Sequence, residues 1–85
     1  APVGPFQVQI GAFQTEVEAE RHLAWARERA RSLLAAHTPH LSQVKLGDKV
    51  YFRARYGGFV AQSAAASVCT ALKHLDIDCL VTKAE

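Results

Sequence analysis

Short runs in which apolar and polar residues alternate are each followed by a stretch with apolar residues every three or four positions. The first run, Phe6-Gln-Val-Gln-Ile10, predicts a strand over 6–10 with Val8 and Ile10 on one face and Gln7 and Gln9 on the other. Gly11-Ala12-Phe13 then leaves the sheet, and Thr15-Glu-Val-Glu18 carries the spacing of a capping box. The helix that follows should be long, about 16–36, with Ala19, Leu23, Ala26, Ala30, Leu33 and Leu34 forming one stripe. Glu16, Glu18 and Glu20 crowd its start and Arg27, Arg29 and Arg31 lie toward its end, the order the helix dipole favours. Pro39 closes this region.

Two further strands, about 41–46 and 50–56, flank Gly47-Asp48-Lys49 as a hairpin. A three-residue loop would pair Leu46 with Val50 and Val44 with Phe52, turning all four to the core. A two-residue loop would pair Val44 with Tyr51 and Leu46 with Lys49 and mix the faces, so the longer loop is expected. Tyr51, Arg53 and Arg55 then point away from the helices, with Phe52, Ala54 and Tyr56 inward. A shorter helix, about 62–74, follows with the stripe Ala65, Val68, Cys69 and Leu72, and Leu75 one turn on. It lacks a strong N-cap, since Ala61 stands where one is needed, with Ser63 available late. Asp76-Ile-Asp78 leads to a last strand, about 79–83, with Cys79 and Val81 inward and Leu80 outward.

The chain says much of this twice. Shifting it by 46 positions lays Gly11 on Gly57, Phe13 on Phe59, Ala19 on Ala65 and Leu23 on Cys69. Two half-repeats are therefore expected, about 6–46 and 50–83, the first carrying an insertion of roughly one to three helical turns. The order β-α-β-β-α-β predicts an α+β, ferredoxin-like fold. Both helices cover one face of a four-stranded antiparallel sheet of order 4-1-3-2, and the other face is left to solvent.

Composition narrows the picture. The 85 residues suit one domain, 6–85, preceded by the end of a linker at Ala1-Pro-Val-Gly-Pro5. An apolar fraction of 49% argues for a folded chain. The formal charge of +2 is below the strong basic signature of a dedicated nucleic-acid binder. No run of apolar residues approaches the ~20 needed to span a bilayer, and no signal peptide is evident. The chain holds no methionine, so it reads as a piece of a larger protein.

Candidate chemistry gathers on the helix-free face, where Gln7 and Gln9 should lie beside Tyr51, Arg53 and Arg55. A solvated sheet face is polar in any case. Amide and guanidinium forks next to an aromatic ring nevertheless suit the hydroxyl, acetamido and carboxylate groups of an extended sugar chain. The paired motifs Val8-Gln9-Ile10-Gly11-Ala12-Phe13 and Phe52-Arg53-Ala54-Arg55-Tyr56-Gly57-Gly58-Phe59 resemble those of the SPOR (sporulation-related repeat) domain of bacterial envelope proteins. The resemblance implies a non-catalytic module that binds peptidoglycan glycan strands, favouring strands stripped of stem peptides, through its helix-free sheet face. It further implies a periplasmic location, targeting of the parent protein to the division septum, and no cofactor. Gln9, Arg53 and Arg55 match positions of the family motif, whereas Phe52 replaces its usual tyrosine and Gly58 its usual proline. Tyr51 and, secondarily, Gln7 complete the expected contact set. The Tyr-Phe-Arg-Ala-Arg-Tyr strand and the two cysteines most resemble SPOR modules at the ends of proteobacterial penicillin-binding-type D-Ala-D-Ala carboxypeptidases.

Cys69 and Cys79 should both project inward, as free thiols or as a disulfide; the periplasm that the resemblance implies favours the disulfide. No metal site is expected, because the cysteine spacing fits no zinc pair and His37-x-x-His40 reads as a loop coincidence. Trp25 sits about 200° round the helix from Leu23, where it either covers an edge of the core or offers a contact to a partner. No nucleophile stands with a plausible base, so catalysis is not expected. Of the rival readings, RNA binding of the RRM type rests on the topology and on Arg55-Tyr-Gly-Gly-Phe-Val60, whose glycine and aromatic order differs from that motif. A protein-docking module is the other. Contact with neither nucleic acid nor membrane is expected of this fragment, which should be monomeric in isolation.

Overall fold

The structure, a computed structural model, describes residues 5–83. Apart from Pro5, the expected linker therefore lies outside the described residues. The elements are β1 (Phe6–Phe13), α1 (Glu16–Arg29), α2 (Arg31–Leu34), β2 (Thr38–Leu46), β3 (Lys49–Phe59), α3 (Gln62–His74) and β4 (Leu80–Lys83). The strands form one antiparallel sheet in the order β2-β3-β1-β4, the 4-1-3-2 arrangement, with β1 and β3 at its centre.

One sheet face is sealed by the helices. Val8, Ile10, Ala54, Tyr56 and Phe59 meet Leu23, Ala26, Ala30, Leu34, Ala65, Cys69, Leu72 and Ile77 in a single core. The Tyr56 hydroxyl lies wholly inside it and donates to the Leu23 carbonyl oxygen at 2.6 Å. Burial raises the Tyr56 pKa above its ordinary 10.0, and Arg27 partly opposes the shift.

The 46-residue offset is visible in the helix starts. Thr15 and Ala61 cap α1 and α3 with nearly the same extended backbone, φ −127° ψ 150° and φ −133° ψ 146°. Thr15 Oγ1 accepts from the Glu18 amide at 3.2 Å and donates to the Glu18 carboxylate at 3.1 Å. Ala61 provides no such bond, and Ser63 does not replace it. At its other end α3 stops in a Schellman turn: Ile77 N–H bonds to the Leu72 carbonyl and Asp76 N–H to that of Lys73. Asp76 takes the left-handed conformation there (φ 62°), and Ile77 is delivered into the core.

The structure corrects five expectations. The long first helix bends at Ala30 (φ −124°, ψ 46°) into the single turn α2 rather than running straight to residue 36. Ala30, at the bend, and Leu34, in α2, are both buried in the core. Strands β1 and β3 continue through their Gly-x-Phe segments, helped by register shifts on either side of Val8–Gln9, so Phe59 belongs to a strand. Conversely, β4 begins at Leu80, not at Cys79.

The fourth correction concerns the hairpin. Its loop has two residues, Gly47-Asp48, with Leu46 opposite Lys49 and Val44 opposite Tyr51. Gly47 supplies the positive φ (62°) that the first position of a tight hairpin turn requires. Because β2 is an edge strand barely covered by α1, core burial does not decide its register and the turn does. Leu46 is consequently 56% exposed, whereas Leu41 is turned to the helix side and half-buried. Pro39 lies within the first residues of this edge strand rather than ending the preceding region, since an edge strand tolerates a residue without an N–H.

Cys69 of α3 and Cys79, just before β4, are joined in a disulfide, with Cα atoms 5.2 Å apart.

Candidate functional site

Strand register assembles the helix-free face row by row. One row crosses all four strands: His40, Arg55, Gln9 and Leu80. The next holds Ser42, Arg53 and Ala12, and beyond it Val44 stands beside Tyr51. On the other side Thr82 lies next to Gln7, opposite the Thr38–Gly57 pair. Gln9 and Arg55, 46 positions apart in sequence, are joined by a hydrogen bond.

The five residues nominated from sequence all lie on this face, but at different depths. Arg55 is only 4% exposed and Gln7 5%. Arg55 Nε donates to Gln9 Oε1 at 3.1 Å and its Nη1 to Gln7 Oε1 at 3.5 Å. The guanidinium thus ties the two glutamines of β1 to the middle of the sheet. Gln9, Tyr51 and Arg53 are half-buried and reach the surface.

The hairpin register adds residues that sequence reasoning missed. His40 is exposed and Ser42 half-buried, opposite Arg55 and Arg53, where the longer loop would have turned both toward the helices. The available signal was Gly47 followed by Asp48, a two-residue turn pair that apolar parity overrode. Leu80, 60% exposed, lends the face an apolar margin.

The motif glycines and aromatics act as scaffolding. A Cβ on Gly11 would come within 2.9 Å of the Phe13 ring, so that ring closes down on bare backbone. Phe13 packs on His22 (centroids 4.9 Å), whose Nε2 donates to the Ile10 carbonyl oxygen at 3.2 Å. In the second copy Phe59 stacks on His37 at 3.9 Å, and His37 Nδ1 donates to the Gly57 carbonyl oxygen at 3.0 Å. His37, in the connector before β2, therefore has a packing role, and His40 lies within β2. Trp25 stacks on His22 at 5.1 Å with the Arg29 guanidinium 5.8 Å from its ring, and stays 43% exposed on the helix side, far from the rows above.

A groove of about 370 Å³ runs between α1 and β2, lined by Leu23, Leu41 and Pro39 together with Glu20, Arg27 and His40. It is largely apolar, and the Tyr56 hydroxyl beside it is held by the Leu23 carbonyl oxygen. Among the described residues, no group of three or more His, Cys, Asp or Glu is gathered as a metal ion would need. Tyr51 is the one Phe, Tyr or Trp ring on the helix-free face among the described residues, since Phe52 and Tyr56 face the helices and Phe59 is buried.

The SPOR domain family model matches residues 2–83. Two solved structures share the fold. The peptidoglycan binding domain of the B. subtilis cell wall lytic enzyme CwlC superposes with a TM-score of 0.67 at 21% identity, covering 100% of this chain and 95% of that one. The SPOR domain of RlpA from Pseudomonas aeruginosa superposes with a TM-score of 0.73 at 18% identity, covering 93% and 99%. A search of curated proteins found no match.

Proposed function

The chain belongs to the SPOR domain family, and from that premise we propose that it is a non-catalytic module of the cell envelope that binds the glycan strands of peptidoglycan. The observation that carries the proposal is the sheet face itself: four strands wide, free of helices, and lined by amide, guanidinium, hydroxyl and imidazole groups beside one tyrosine ring. The similar fold of a domain described as peptidoglycan-binding in CwlC supports it.

Gln9, Tyr51 and Arg53 contact the sugar chain. Arg55 and Gln7 lie beneath them and hold Gln9 in place. About three hydrogen bonds at ~1 kcal/mol net each and one ring contact of similar size amount to roughly 4 kcal/mol, a millimolar site. A polymer that repeats the same sugars raises this by avidity, so weak single sites suffice for localisation. The preferred strand has lost its stem peptides, whose bulk would hold the sugars off a flat sheet face. The module thereby brings its parent to places where amidases act, the division septum among them, on the periplasmic side. Tyr51 through Tyr56 and the cysteine pair support a parent of the penicillin-binding-type carboxypeptidase class.

Co-sedimentation with intact and amidase-treated sacculi tests this. More of the domain should pellet with treated sacculi, and Arg53→Ala should lower that fraction severalfold. Failure to pellet with either, with wild type and Arg53→Ala alike, would remove the proposal.

A further inference from the structure

The net charge of +2 conceals how the charges are distributed. Strand register puts Arg53, Arg55 and Lys49 on the helix-free face, together with His40. No Asp or Glu lies among the described strand residues; the described acidic groups stand on helices, as Glu16, Glu18, Glu20 and Glu28, or in connecting segments, as Asp48, Asp76 and Asp78. A face built only to meet neutral sugar hydroxyls would need no such segregation. Arg55 is already committed to the two glutamines. Among the described residues, no hydrogen bond or ion pair holds Arg53, which is half-buried between Ser42 on one side and the small Ala12 on the other.

We propose that Arg53, with Ser42 beside it and His40 one row away, forms a subsite for a carboxylate carried by the sugar chain itself. The inference rests on the glycan reading above and deepens it. When an amidase hydrolyses the bond between a muramic lactyl group and its stem peptide, the lactyl carbonyl keeps the new oxygen as a carboxylate. Each stripped unit therefore bears one negative charge where the intact strand bears a neutral amide. A guanidinium presents a planar pair of donors that matches a carboxylate, and the Ser42 hydroxyl can add a third. The preference for stripped strands then has an attractive cause, the new charge, in addition to the loss of a bulky branch.

The test uses amidase-stripped glycan strands in two forms, one with free carboxylates and one with the same carboxylates capped as methyl amides. Wild-type domain should bind the capped form about tenfold more weakly, a difference of ~1.4 kcal/mol. Arg53→Gln should fall to that level on the free form and lose nothing more on the capped form, with Arg53→Lys in between and all variants melting like wild type. Free stem peptide, which carries carboxylates without the sugar, should not displace the domain. Equal affinity for both forms would overturn the carboxylate subsite while leaving the glycan reading intact, as would an equal loss by Arg53→Gln on both. Displacement by free stem peptide would reassign the subsite to peptide carboxylates and overturn it too. Absence of binding to either form would overturn both proposals.

Discussion

At the scale of single residues, the starts of α1 and α3 are unequal in an instructive way. Thr15 and Ala61 occupy the same backbone conformation one repeat apart, yet only Thr15 can satisfy an amide at the helix start. Ala61→Thr should therefore stabilise the domain by about 0.5–1 kcal/mol, a rise of several degrees in Tm for a chain of this size. A lowered Tm would show that the half-buried Ala61 site has no room for the hydroxyl. Tyr56 provides a second residue-scale expectation. Its pKa is raised in the folded state, above the ordinary 10.0 of the unfolded chain. Its contribution is thus fully present below pH 10 and is lost as pH climbs through the raised value. The stability advantage of wild type over Tyr56→Phe, measured by urea denaturation, should hold to pH 9 and shrink above pH 10. An advantage that grew above pH 10 would contradict the buried neutral phenol.

At the scale of elements, what was legible in the sequence tracks what burial dictates. The period-2 pattern of β1 and the stripes of α1 and α3 could be read because each has one face in the core. Edge strand β2 could not, because its apolar residues are only partly covered and its register is fixed by the Gly47 turn. That error hid the place of His40 and Ser42 on the helix-free face, whereas Gln9, Tyr51 and Arg53 could be assigned to that face because central strands have unambiguous parity. Ile77 was read as connector, since a Schellman turn built on Asp76 rather than glycine has little sequence signature. The disulfide ties the last such connector to α3. It closes a loop with a sequence separation of 10, worth ~3 kcal/mol in the chain-entropy model. Set against a total of roughly 5–15 kcal/mol, reduction should visibly lower the urea midpoint; an unchanged midpoint under full reduction would show that the bridge adds nothing to stability.

At the scale of the whole molecule, the design divides labour between two sides of one sheet. The helix side holds the core, including Tyr56 and the aromatic-histidine stacks that lock both Gly-x-Phe segments. That leaves the other side free to be polar and, in its charge, one-signed. Trp25 belongs to the first side, so substituting it should leave glycan binding untouched. The central claim, that the helix-free face receives the glycan, is tested most directly by titrating the isotope-labelled domain with peptide-stripped glycan strands and mapping amide and side-chain NMR shifts. The account predicts that the largest changes fall on Gln9, Ser42, Tyr51 and Arg53, with α1 and α3 unmoved. Changes centred instead on Leu23, Ala24 and Leu41, in the groove between α1 and β2, would contradict it.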